Sequence, residues 1–162
     1  MAEDDAAAAR EAAVRFLARR EHSTRELEHK LGARGFEPAA VAGALEGLAA
    51  EGLLSDERFA EAFVASRIEK GSGPRRIQAE LRERGLTDEL IARYVDFSDR
   101  HWRERAARAR RKRFGAAPPG DLHERARQAR FLQYRGFTAD QARAALTDED
   151  DELGLEDDPD AI

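Results

Sequence analysis

One short signal, present three times, constrains this chain more than anything else in it. Arg34-Gly35-Phe36, Arg84-Gly85-Leu86 and Arg135-Gly136-Phe137 stand 50 and then 51 residues apart. A leucine lies three residues before each arginine: Leu31, Leu81 and Leu132. Val41, Ile91 and Ala142 follow it by seven residues, and Leu45, Val95 and Leu146 by eleven. Self-similarity at a long, fixed period marks an array in which each copy is one supersecondary unit. Glycine just past an apolar helical stripe is a helix stop, because it takes the left-handed backbone without steric cost. The large apolar residue after it can fold back onto the helix it has left. The signal therefore reads as architecture and not as chemistry.

Punctuation between the signals divides each copy into three helices. In the first, a helix from Ala8 to Arg20 carries Val14 and Leu17 on its apolar side. Ser23-x-x-Glu26 is a capping box opening a helix with Leu27 and Leu31. Pro38, in the first turn, starts a third helix through Val41, Leu45 and Leu48 that stops at Gly52. In the second copy Ser55 caps a helix bearing Phe59, Phe63, Val64 and Ile68, which ends at Lys70-Gly71. Gly71-Ser72-Gly73-Pro74 reads as a linker, followed by a helix with Ile77 and Leu81. Thr87 caps the helix of Leu90, Ile91, Tyr94 and Val95. The third copy runs from Asp99 to Phe114, breaks at 115–120, restarts at Asp121 and ends with the capping box Thr138-x-x-Gln141 before Leu146. Gln128 stands where the other copies have Leu27 and Ile77. Trp102 and Tyr134 are expected in the core.

No strand pattern occurs. The expectation is an all-α fold of three tandem three-helix repeats, 9–52, 53–96 and 97–147, forming an elongated, curved helical array. A disordered acidic N-terminus, 1–8, and a disordered acidic C-terminal tail, 148–162, flank it.

The overall charge of −5 conceals a strong polarity. Glu3, Asp4 and Asp5 lie at one end, and nine carboxylates lie between Asp148 and Asp160 at the other. Residues 6–147 hold all 28 Lys and Arg against 21 Asp and Glu, a net of +7. A basic body with acidic ends points to a polyanionic partner. Two groups of cations are candidates for contact: Arg75, Arg76 and Arg82 in the second copy, and Arg108, Arg110, Arg111, Lys112, Arg113, Arg127 and Arg130 in the third. Contacts of this kind to nucleic acid fix position and carry no sequence information.

Signals for enzyme chemistry are missing. His22, His29, His101 and His123 have no partner at metal-ligand spacing and read as solvated surface residues. No phosphate-binding glycine loop and no nucleophile elbow occurs. There is no cysteine, and no apolar run nears the 18 residues of a membrane span. The acidic start is unlike a signal peptide. A soluble cytoplasmic protein is expected, without catalytic residues, cofactor or metal.

Asp56-x-Arg58-Phe59-Ala60-x-x-Phe63-Val64-x-x-Arg67, followed by Gly73-Pro74-x-Arg76-Ile77-x-x-Glu80-Leu81-x-x-Arg84-Gly85, resembles the central signature of the RecX family. Phe131-Leu132-x-x-Arg135-Gly136-Phe137 is similar to that family's third-repeat ending. The resemblance covers about residues 10–147. It implies tandem three-helix repeats without catalytic residues. It also implies a negative regulator of a RecA-type recombinase, which binds the recombinase–single-stranded DNA filament and inhibits its ATPase, growth and strand exchange; from the repeat pattern itself, a monomer is expected. The acidic tail lies outside the family pattern. The alternative is a stand-alone, sequence-independent DNA-binding helical module. A peptide-binding array of 34-residue repeats does not fit the observed period.

Overall fold

Each arginine-glycine signal closes a helix in the same way. Gly35, Gly85 and Gly136 have φ of 89°, 82° and 101°, a region that only glycine enters freely. The amides of Phe36, Leu86 and Phe137 reach back to the carbonyls of Leu31, Leu81 and Leu132 at 3.3, 3.2 and 3.1 Å. The three glycine amides donate to Gly32, Arg82 and Gln133 at 3.0 Å each. This is the Schellman arrangement, in which otherwise orphaned carbonyls of the last turn are satisfied.

The computed structural model describes residues 2–151, with side chains over 3–147. Among the described residues there are nine helices and no strand. They are α1 (Ala2–Arg19), α2 (Thr24–Ala33), α3 (Pro38–Ala50), α4 (Asp56–Glu69), α5 (Pro74–Glu83), α6 (Asp88–Tyr94), α7 (His101–Phe114), α8 (Leu122–Tyr134) and α9 (Ala139–Asp151). The chain is a tandem helical array.

The caps fall where the sequence puts them. Ser23 Oγ accepts from the Glu26 amide at 3.1 Å and the Glu26 carboxylate accepts from the Ser23 amide at 3.4 Å. Thr138 and Gln141 form the equivalent reciprocal pair at 3.1 and 3.0 Å. Ser55, Thr87 and Asp121 accept from the amides of Arg58, Leu90 and Glu124.

Two compact units divide the described chain, and their border does not follow the repeats. Unit 1 comprises Met1–Ser66 and Ala79–Tyr94; unit 2 comprises Arg67–Gln78 and the chain from Val95 onward. In unit 1, Ala12, Ala13, Leu27, Leu31, Val41, Leu45, Leu48 and Leu54 form one buried cluster, with Phe16, Leu17 and Phe36 packed against it. Each fully buried leucine there contributes roughly 1.5–3 kcal/mol relative to exposure. In unit 2, Trp102 and Phe137 meet edge to face at 6.5 Å, and the Trp102 Nε1–H donates to the Asp96 carbonyl at 2.6 Å.

Within each unit a helix N-terminus sits on a helix C-terminus closed by the signal. In unit 1, Ser23 Oγ donates to the Arg84 carbonyl at 2.9 Å. In unit 2, the amides of Gly73 and Arg75 donate to the carbonyls of Arg135 and Gly136 at 2.8 and 2.9 Å. In unit 2 orphan amides of one helix thus meet carbonyls at the negative end of another, and in unit 1 the hydroxyl of the capping serine does so. The approach leaves no space for a side chain. A Cβ on Gly85 would lie 2.7 Å from Arg25 Cβ, and one on Gly136 would lie 2.6 Å from the Arg76 amide nitrogen. A Cβ on Gly73 would overlap the backbone of Gly136 and Phe137. Gly35 has open space around it.

The structure corrects several expectations. Gly71-Ser72-Gly73-Pro74 is a docking element and not a linker; Ser72, Gly73 and Pro74 are buried. α1 begins at Ala2, not Ala8, and takes Glu3, Asp4 and Asp5 into its first turn, where the helix dipole favours carboxylates. Its buried face is Ala9, Ala12 and Ala13, with Phe16 and Leu17 partly buried, while Val14 is 39% exposed. Tyr134 is 79% exposed and not in the core. His22 is buried, with Nδ1 3.0 Å from the Arg20 carbonyl and Nε2 2.9 Å from Lys30 Nζ. Burial, first, holds its pKa below the ordinary histidine value, and the charges of Arg20 and Lys30 add to this against the Arg20 carbonyl. α9 continues to Asp151, so the acidic tail begins inside a helix, and 152–162 lie outside the described residues.

Gly35 and Gly136 provide a matched test of the joint. Gly35→Ala should cost about 1–3 kcal/mol, from the positive φ alone. Gly136→Ala should cost roughly 1–3 kcal/mol more, because Arg76 must also move. Chemical denaturation of both variants measures this, and equal destabilisation would mean that the close approach at Gly136 has no energetic consequence.

Candidate polyanion-binding surface

The arginine-rich helix α7 has two faces of different character. Trp102, Ala106, Ala107 and Arg110 are buried. His101, Arg103, Glu104, Arg108, Arg111, Lys112 and Arg113 are exposed. A charged run thus carries an apolar stripe at helical spacing, with Arg110 within it.

Arg110 is a core residue and so does not serve as a surface contact. Its side chain is fully buried, and Nη1 donates to the Ala117 carbonyl and to Gln128 Oε1, each at 3.2 Å. Gln128 is itself buried and donates to Glu124 at 3.2 Å. A polar pair thus fills the position that Leu27 and Ile77 occupy in the other repeats. Hydrogen bonds from Gln128, first, and from Arg127 hold the Glu124 carboxyl below its usual pKa.

Beside the exposed face of α7 lies an open cleft of about 590 Å³, contained in unit 2. One wall is the end of α4 and its turn, Ile68 to Gly71; the other includes Arg105, Arg108, Lys112 and Arg113 of α7, with Arg135 also lining it. The cleft gathers six cations, Lys70, Arg105, Arg108, Lys112, Arg113 and Arg135, against Glu69 and Glu104. Several are held in place. Arg105 lies over the Trp102 ring at 4.6 Å, and Arg113 and Arg135 lie over Phe131 at 6.0 and 5.2 Å. Arg135 also donates to the Lys70 carbonyl at 3.3 Å. Arg108 has a loose ion pair with Glu104 at 3.7 Å, both ends well exposed, a contact of small energy. Among the described residues Lys70 and Lys112 have no carboxylate partner.

Of the cations singled out in the sequence, Arg108, Lys112 and Arg113 come together here. Arg111 is exposed on α7 but does not line the cleft. Arg75, Arg76, Arg127 and Arg130 are exposed elsewhere in unit 2, with Arg127 paired to Glu124 at 3.0 Å. Arg82 belongs to unit 1 and pairs with Asp88 at 2.7 Å. Lys70, Arg105 and Arg135 are not among the contacts chosen from the sequence, although Arg105 belongs to the basic run on α7. Lys70 and Arg135 read as helix-stop residues, and only the folded chain brings them to α7.

The arginine of the repeated signal has a role of its own. Arg34 lies over the Phe16 ring and Arg84 over the Phe63 ring, each at 4.6 Å. A guanidinium on an aromatic face contributes about 0.5–1 kcal/mol at exposed sites.

Helix ends docked on helix ends, in an array of three-helix repeats, define a helical-repeat protein. Comparison with known proteins makes the class specific. Residues 9–48 match the first three-helix domain of RecX, 55–94 the second and 103–146 the third. The regulatory protein RecX of Halorhodospira halophila is 54% identical over 149 residues, covering 91% of this chain and 92% of that protein. The Chromohalobacter salexigens protein of the same name is 46% identical over 137 residues, covering 85% and 90%. The crystal structure of RecX from Lactobacillus salivarius superposes with a TM-score of 0.78 at 19% identity, covering 91% of this chain and 98% of that one, and so shares the fold. The chain belongs to the RecX family of regulatory proteins. No helix among the described residues is long and apolar enough to cross a membrane.

The two neighbouring arginines Arg110 and Arg111 separate structure from surface. Arg110→Ala should lower stability by roughly 2–5 kcal/mol, as large-to-small core changes do. Arg111→Ala should stay within about 0.5 kcal/mol of wild type. Thermal or chemical unfolding reads both, and a harmless Arg110→Ala would return that side chain to the surface.

Proposed function

We propose that this protein is a negative regulator of a RecA-type recombinase. It binds the recombinase–single-stranded DNA filament and inhibits its ATPase, growth and strand exchange. The observation that carries the reading is membership of the RecX family across all three domains. The charge distribution supports it. An exposed basic face on α7 beside a six-cation cleft suits a polyanionic lattice, and contacts there need no base readout. Arg75, Arg76, Arg108, Arg111, Lys112, Arg113, Arg127 and Arg130 are the proposed contacts, with Arg82 in unit 1. Several weak contacts on one array gain affinity together when the filament presents repeated copies of its surface.

The test is a recombinase ATPase assay on single-stranded DNA with this protein titrated in. Hydrolysis should fall as the protein approaches stoichiometry with the recombinase. The Arg111→Glu, Lys112→Glu variant should inhibit less. Its binding should also depend less on salt, by roughly 0.7 in the log–log slope for each single-strand phosphate that is no longer neutralised. Full ATPase and strand-exchange rates in excess protein would refute the proposal, and DNA binding under those conditions would favour the stand-alone DNA-binding module.

A further inference from the structure

The same cleft has a second candidate occupant within the chain. From Asp148 onward, fifteen residues carry nine carboxylates and no Lys or Arg. The first four of them, 148–151, form the last turn of α9, which packs against α7 within unit 2. α7 has 14 residues and is therefore roughly 21 Å long. The eleven residues that follow α9, 152–162, span up to about 40 Å when extended. The acidic stretch thus starts on a helix packed against one wall of the cleft and is long enough to reach any point along that wall.

We infer that the cleft between the end of α4 and α7 is a docking site for the chain's own acidic C-terminal stretch, held there in competition with external polyanions. Charge complementarity selects this occupant: the cleft has six cations against two carboxylates, and Lys70 and Lys112 lack a carboxylate partner among the described residues. Ile68 and Ala109 add apolar lining, which suits Leu153 and Leu155 between the carboxylates. Covalent connection gives the stretch a high effective concentration at the cleft, so individually weak ion pairs suffice. The pairs are solvent-exposed, and salt screens them. The docking regulates the proposed polyanion surface and rests on that reading only for its consequence, not for the contact itself.

The chain's lysines are Lys30, Lys70 and Lys112, and the last two line the cleft. Zero-length carbodiimide crosslinking of the full chain, read by peptide mass spectrometry on the monomeric species, therefore reports the contact directly. Lys70 and Lys112 should crosslink to carboxylates in 148–160, and the yield should fall steeply as salt is raised. Absence of these crosslinks at low salt, or a yield unchanged at high salt, would overturn the docking. A second full-length variant changes all nine tail carboxylates to the corresponding amides. It should bind a single-stranded oligothymidine more tightly than wild type at low salt, by several-fold, with the gain vanishing at high salt. Equal affinities alongside intact crosslinks would overturn the competition. If neither chain binds the oligonucleotide while the crosslinks persist, the polyanion reading fails and the docking stands.

Discussion

The joint between helix ends is the interaction on which the rest of this structure depends. A Schellman turn normally satisfies the carbonyls of one helix and nothing more. Here its outer carbonyls also receive donors from another helix: Ser23 Oγ on Arg84, and the Gly73 and Arg75 amides on Arg135 and Gly136. In unit 2 two sets of otherwise unsatisfied backbone groups satisfy each other, and in both joints opposed helix-dipole ends are brought together. The contact is short because glycine occupies it, so the residue that stops the helix also admits the neighbour. That double duty explains why Gly85 and Gly136 are crowded while Gly35, in the same turn with the same sign of φ, faces open space.

The joint in unit 2 also builds the cleft. It fixes the turn after α4, which brings Ile68, Lys70 and Gly71 to the basic face of α7. Aromatic rings then hold the guanidinium groups of Arg105, Arg113 and Arg135. Arrangement of this kind lowers the side-chain entropy lost when an anion binds. The basic surface is thus a consequence of the repeat architecture and not a patch added to it.

Much of this is legible in the sequence because helix stops, caps and apolar spacing are local signals. The three Schellman turns, the capping boxes at Ser23 and Thr138, and the buried series Leu31, Leu81, Leu132 can all be read from neighbouring residues. What escapes is non-local. Gly73 resembles a linker glycine because its constraint comes from Gly136, far away in sequence. Arg110 resembles one more surface cation because its partner, Gln128, is on another helix. His22 resembles a solvated residue because its surroundings, Phe16 and Lys30, come from two different helices. Tyr134 and Val14 show the opposite error, as apolar character alone does not say which face of a helix is covered. The candidate site is legible as a charge excess, but its membership is not: Lys70 and Arg135 come from helix ends that only the fold brings to α7.

Amide hydrogen exchange at Gly73 and Arg75 in the full chain tests the central role of the joint most directly. Neither amide belongs to the internal ladder of α5, so hydrogen-bonded protection there reports the joint. Exchange slowed by at least about 100-fold relative to an unstructured chain is the expected result. Exchange of both amides at the rate of an exposed loop would contradict it.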